Sequence, residues 1–489
     1  MKKISRWEIG FLIALFLFSV AVRWYRLDHN LFFGFEQGRD AQIIENIYLH
    51  HEFKLVGPKT DLAGIFHGAY YYYVMVLPSW ISHGNPLVLS FWLVFLSSFV
   101  PVIMYFFAKD FWGSKKLGVV AAILTAMSYE YIIYARWLSN VTLAIPFLLF
   151  TFFCLWFLHV VQKPKWFIAA VLCAAIAAQF EIVLVLLFGF VFVVLFLLRF
   201  LPRPNFRTLL ITAGVLFIIF APHILFNFRN QNVIAKAIVG FAIGHNQNSP
   251  IDFGGNFHFF LESYMTVFRK ALSLPNNVLV LTAAVIITLV GLFQAARKKK
   301  NRLHLLFLLV WFLMAAPVIF FHDVARLTQL YLGIGLSVIF LFVFALRELW
   351  SNAIGKGLCI LAGFIVLFGW FTVWQNLNQN KDVFFITIQE GMNYHDQIRL
   401  LQYAHTSANG QPYRLEAYTI PYLQPEGWQY LQQYLYPNVT DNGNKLVFVV
   451  IEKQVDPFWE KKWLTDLGPS QLLEEKIFGL LRLQKRILK

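Results

Sequence analysis

Apolar and polar positions alternate along this chain in long blocks: runs of about 18 or more mostly apolar residues, each long enough to cross about 30 Å of hydrocarbon, recur between short polar connections. The runs predict spans at 7–27, 86–108, 117–134, 141–161, 166–179, 182–200, 208–226, 277–296, 303–321, 327–346 and 355–374. That is a polytopic all-α membrane protein of about 11 transmembrane helices. Ten-residue alternating strands of the kind that build a membrane barrel are missing from the pattern. A further apolar run, Tyr70 to Trp80, is assigned to the outer surface, because counting it as a span would invert every later basic loop.

Those basic loops fix the expected orientation. Lys2, Lys3 and Arg6 precede the first span, and Lys109, Lys115 and Lys116 follow as the next cluster. Lys163 and Lys165, then Arg199, Arg203 and Arg207, then Arg297 to Lys300, then Arg347 with Lys356 continue the series. Placing all of them on the cytoplasmic side pairs the spans into out-and-back hairpins. The short span 166–179 then needs a tight outer turn at Gln179-Phe180-Glu181. The run Ile9 to Val22 lacks a small-residue cleavage site and reads as an uncleaved first span.

Two external loops remain, 28–85 and 227–275. The first is expected to carry an amphipathic helix from Asp40 to Leu49 and an interfacial aromatic helix through Tyr70 to Tyr73. The second is rich in Asn, Gln and Gly, and a loop of that length points to function. Beyond Trp374 the pattern changes. Residues 1–379 read as the transmembrane domain and 380–489 as a small extracytoplasmic α/β domain, with a buried strand at Leu446 to Ile451 and a helix near Trp428 to Tyr434.

Composition agrees: 489 residues, 58% hydrophobic, 18% aromatic and 14% charged, with a mean hydropathy of +0.60. A soluble globular domain is excluded. The net charge of +15 follows from the basic loops, so nucleic acid is not an expected partner. Cys154, Cys173 and Cys359 all lie inside apolar segments and read as small core residues.

Candidate chemistry lies where charge interrupts the apolar pattern on the outer side. Phe33-Gly34-Phe35-Glu36-Gln37-Gly38-Arg39-Asp40 follows the first span directly. Asp61 and His67, Glu130, Arg136 and Asn140, Gln179 and Glu181, His223, Asn227 and Arg229, and His322, Asp323 and Arg326 join it as five further groups. Charges beside spans are costly and are functional hypotheses by default. A carboxylate, Glu36 or Asp40, suits a general base; Arg39, Arg136 and Arg326, with His67 and His322, suit a phosphate clamp. Asp61, Tyr70, Asn140, Gln179 and Glu181 are candidate sugar or acceptor contacts. Base plus clamp implies group transfer from a phosphorylated donor, and outside the cytoplasm that donor is a lipid phosphate. The histidines show no metal-ligand spacing, so no cofactor is required, and a divalent metal stays open as the less favoured alternative.

These residues resemble the membrane glycosyltransferases of the C-type (GT-C) fold, in the bacterial branch similar to protein O-mannosyltransferases and the lipid A aminoarabinose transferase. Glu36-Gln37-Gly38-Arg39-Asp40 occupies the place of that family's Asp-Glu-x-Arg-Tyr-like motif. The stretch His67-Gly68-Ala69-Tyr70 resembles its His-Gly-Pro-like motif, with Ala69 for the usual Pro. Tyr134 to Asn140 and Gln179-Phe180-Glu181 resemble further outer motifs. The resemblance implies a plasma-membrane enzyme that passes a sugar from a polyprenyl-phosphate donor to a protein, lipid or glycan by single displacement. Glu36 would take the catalytic carboxylate position and Arg39 the donor contact. Glu36 replaces the usual Asp, which leaves Asp40 open as the base. A ligase for polyprenyl-diphosphate-linked glycans and a flippase of lipid-linked sugars are the competing classes.

Overall fold

The computed structural model describes residues 4–60, 62–242, 253–321, 331–378, 391–420, 423–439, 444–453 and 457–489. Helix α1 (Arg6–Trp24) starts at a capping box: Ser5 Oγ accepts the Glu8 N–H, and the Glu8 carboxylate accepts the Ser5 N–H at 3.0 Å. A short α2 (Leu27–Asn30) leads to α3 (Phe35–Leu49). Helix α3 begins five residues before the expected start, so Glu36, Arg39 and Asp40 stand in its first turns rather than in a loop. Gln37 explains the difference, since its side chain accepts the Gly34 N–H at 3.1 Å and closes the first turn.

A hairpin of β1 (Val56–Lys59) and β2 (Phe66–Gly68) follows, then α4 (Tyr70–Ser82). With 13 residues, α4 is about 20 Å long, too short to cross a bilayer. Asn85 caps α5 (Pro86–Ser97), with proline in the first helical position, and α6 (Val100–Trp112) continues it as one 27-residue apolar unit. Helices α7 (Lys115–Met127) and α8 (Tyr129–Arg136) form a pair bent by 51°. Next come α9 (Val141–Val161), α10 (Pro164–Phe180) and α11 (Leu184–Leu197), with the expected tight turn between the last two.

Helix α12 (Phe206–Arg229) leads into the second long segment that the sequence pattern assigns to the outside. There the described residues form α13 (Val233–Ala242) and α14 (Phe253–Ala271), so most of what composition suggested as loop is helical. The set ends with α15 (Val278–Arg297), α16 (Arg302–Phe312), α17 (Ala316–Phe321), α18 (Ile334–Leu349) and α19 (Ala353–Asn378). Helix α18 is apolar and buried around almost its whole circumference, the mark of a central helix.

Every expected span contains helix. By length and composition six described helical units can cross a membrane, or seven if the bent pair counts as one; α10 and α11 are shorter.

The C-terminal part folds as α20 (Tyr394–Ser407), β3 (Arg414–Tyr418), α21 (Glu426–Leu435), β4 (Leu446–Ile451), α22 (Pro457–Asp466), β5 (Ser470–Phe478) and β6 (Leu481–Leu488). Its sheet has the order β3-β4-β6-β5, with only β3 and β4 parallel. Strand β4 is buried throughout. Phe448 and Val450 join the core that includes α20 and α21, while Val447, Val449 and Ile451 face Trp463 and Leu464 of α22. Helix α21 crosses α3 where both backbones carry glycine. A Cβ on Gly38 would lie 2.5 Å from the Glu426 carbonyl oxygen and from Gly427 Cα.

Candidate active site

The first turns of α3, the β1–β2 hairpin, the Trp137 to Asn140 link, the turn after α10, and the facing ends of α12 and α13 enclose a cavity of about 650 Å³. Its polar lining includes Glu36, Arg39 and Asp40, Lys59 and Thr60, His67, Ser139 and Asn140, and Glu181. The lining also has a large apolar part, including Val185, Leu186, Phe220, Ile224, Ile234 and Ile238, with His223 and Asn227 of α12 among them. Glu36, Arg39 and Asp40 reach one wall because positions 36, 39 and 40 fall on one helical face.

The Asp40 carboxylate is buried. Its Oδ1 accepts from Arg39 Nε and Nη2, both at 2.9 Å, and from the Tyr72 hydroxyl at 3.3 Å. Burial lifts the Asp40 pKa above the usual carboxylate range, although Arg39 and Tyr72 pull it down. The Arg39 guanidinium remains partly open to the cavity, and Glu36 is exposed on the same wall.

His67 is buried, and its Nδ1 accepts the Ile182 N–H at 3.4 Å. That bond puts the ring proton on Nε2. Burial first, then neighbouring His223 and Arg39, push the His67 pKa down to about 4. The ring is therefore neutral at pH 7, and the expectation of a histidine cation on phosphate gives way to a neutral N–H donor. Glu181 Oε1 lies 3.8 Å from His67 Nδ1.

Other expected residues have different surroundings. Asn140 lines the cavity, but its Nδ2 donates to the Phe180 carbonyl and ties two connections together. Arg136 ends α8 away from the cavity lining, donating from Nη1 to the carbonyls of Tyr25 at 2.8 Å and Arg23 at 3.2 Å. It serves the backbone of the α1–α2 turn, not a phosphate clamp. Gln179 is fully buried beneath the hairpin with its amide pressed on Gly68, and Tyr70 packs towards Phe180; neither lines the cavity. Asp61, His322 and Arg326 lie outside the described residues. Lys59 and Ser139 line the cavity without having been expected. Lys59 has no sequence signal of its own, since Lys54 and Arg39 are basic residues of the same loop. Among the described residues no three His, Cys, Asp or Glu side chains group to hold a metal ion.

No protein family and no curated protein matches the sequence. The crystal structure of ArnT from Cupriavidus metallidurans bound to undecaprenyl phosphate superposes with a TM-score of 0.60 at 11% identity, over 97% of each chain. The apo form of the same protein gives 0.56 at 12%, again over 97% of each. The chain has the fold of ArnT. ArnT is the lipid A aminoarabinose transferase, a membrane protein of the C-type glycosyltransferase fold, so the fold expected from the short outer motifs is the one found. The likeness to ArnT runs through the C-terminal sheet as well as the membrane helices, since it leaves almost none of either chain uncovered.

Proposed function

We propose that this chain is an integral-membrane glycosyltransferase that moves a sugar from a polyprenyl-phosphate donor to an acceptor on the outer face of the plasma membrane. One observation carries the reading: the lining of one cavity divides between carboxylates and cations and a large apolar surface. A lipid phosphate has that division, and the crystallised ArnT holds undecaprenyl phosphate. A volume of about 650 Å³ suits a sugar phosphate with the first part of its lipid tail.

In this reading Glu36, exposed in the polar lining, takes the proton from the acceptor hydroxyl or amine. The acceptor atom forms its bond to the anomeric carbon as the bond from that carbon to the phosphate oxygen breaks. The electron pair leaves with the polyprenyl phosphate, whose charge Arg39 and Lys59 stabilise. Asp40 orients Arg39 through the paired contacts to its Oδ1. The neutral His67 and Glu181 face the sugar. Residues 1–379 form the catalytic membrane unit and 380–489 an extracytoplasmic domain lying against it.

The test uses membranes holding the full chain and a labelled polyprenyl-phosphate sugar. Glu36→Gln is expected to lower transfer about 10²- to 10⁴-fold, the range of a lost general base, with folding intact. Asp40→Asn should cost less and weaken donor binding. Wild-type transfer in both variants and in the double variant would remove the assignment.

A further inference from the structure

Arg23 stands one residue before the end of α1 and is fully buried. Its Nη1 donates to the Ser19 carbonyl at 3.2 Å and to the Ala126 carbonyl at 3.4 Å. Its Nε and Nη2 find no acceptor, and no carboxylate acts on it among the described residues. Carbonyl dipoles at these distances do not neutralise a guanidinium. An isolated charge in a dry interior is expensive enough that buried arginines are paired.

Around it several donors lack acceptors, although the first turn of α8 also carries the buried carboxylate of Glu130. Ala126 lies in the last turn of α7, just before the 51° break into α8. At that break the Ser128 hydroxyl is buried without a partner, as is the Ser19 hydroxyl one turn earlier on α1. Helix α8 begins at Tyr129, whose N–H is taken by Ser273 Oγ at 2.7 Å. The next amides of this first turn have no acceptor within the helix, and the helix end carries partial positive charge.

We propose that Arg23, the Ser128 hydroxyl and the N-terminus of α8 hold a small monovalent anion such as chloride. The anion completes the charge of Arg23 and seats α1 against the α7–α8 break. Helix α8 runs directly into Trp137 to Asn140, which form one wall of the cavity, so the bound anion fixes that wall. The inference does not depend on which group the cavity transfers. Enclosure by the chain's own helices selects a free ion, because no side chain of a partner reaches a fully buried guanidinium.

Thermal unfolding of the purified full chain in detergent tests this, with chloride replaced stepwise by gluconate at constant ionic strength. Chloride is expected to raise the wild-type Tm by roughly 5 °C in a saturating manner, and Arg23→Met should abolish the dependence. Soaking with bromide should place an anomalous peak within hydrogen-bonding distance of Arg23. Equal Tm values in the two salts, an equal chloride shift in wild type and Arg23→Met, or scattering at Arg23 without an anomalous signal would each overturn the proposal. If Arg23→Met does not fold, the bromide peak in the wild-type protein decides.

Discussion

Glu8 and Glu36 are both glutamates in the first turn of a helix beside a membrane, and their surroundings are opposite. The Glu8 carboxylate accepts from the Ser5 N–H and hydroxyl, from the Tyr105 hydroxyl at 2.7 Å, from Lys109 at 3.0 Å and from Lys115 at 2.7 Å. Five donors cover it completely, and its work is to pin α1 to α6 and α7. Glu36 sits on a cavity wall within reach of a substrate, with the Arg39–Asp40 pair one turn further along. A list of charged residues beside spans does not separate these two roles. The exposure of each carboxylate does, Glu8 being fully buried and Glu36 open on the cavity wall.

The contrast breaks most sharply in a pair of variants. Glu36→Gln should cost about 3–5 kcal/mol of transition-state stabilisation, the free-energy equivalent of the rate loss above, with an unchanged Tm. Glu8→Gln should leave transfer by the folded fraction intact and cost about 2 kcal/mol of stability, the scale for hydrogen bonds to a charged group. Measuring transfer and Tm on both variants checks the division; an active Glu36→Gln with a lowered Tm would make Glu36 a second structural carboxylate.

His67 sharpens the comparison through pH. Its folded pKa of about 4 lies below the ordinary histidine value, so between the two the unfolded chain binds a proton that the folded chain does not. The stability from the neutral ring is complete above the ordinary value and is lost as pH falls towards 4, by about 3 kcal/mol over that window. Asp40, whose pKa is raised, acts in the other direction, so the histidine contribution is read as the difference between wild type and His67→Gln. That difference should shift against the wild type as pH falls from 7 to 4.5. A flat difference in thermal or denaturant stability would mean that His67 carries a proton in the folded protein.

Periodicity made the membrane part of this fold legible, since an apolar run of span length has few alternatives, and basic-residue bias grouped the runs. The buried strand Leu446 to Ile451 and the helix around Trp428 were legible for the same reason. The start of α3 was not, because Gly34 at the cap is a weak signal until the Gln37 side chain is seen closing the turn. Glu36, Arg39, Asp40, His67, Asn140 and Glu181 were marked by polar chemistry at outer ends and do meet at one cavity. Arg136 had the same signature, and its commitment to backbone carbonyls of the α1–α2 turn depends on tertiary contacts that spacing does not encode. Lys59 was passed over because one lysine in a long loop carries little pattern of its own.

The smallest expected effect concerns the back of the same helix. Glu36 and Arg39 face the cavity, while Gly38 between them faces away and meets the α21 backbone at Glu426 and Gly427. The C-terminal domain also reaches the chain leading into α3: Gln397 Nε2 donates to the Phe33 carbonyl at 2.9 Å, and the Phe33 N–H donates to the Met392 carbonyl at 3.1 Å. Such contacts make the domain a brace for the helix that carries the candidate base. Gly38→Ala should therefore push α21 and α3 apart and cost about 1–2 kcal/mol of stability, as overpacking does. Because the shift passes to Glu36 and Arg39 together, kcat should fall several-fold in the folded variant, and Gly427→Ala, entering the crossing from the other helix, should reproduce the loss. A domain that only covers the cavity predicts a changed KM for the acceptor with kcat retained, so the split between the two parameters separates a brace from a cover.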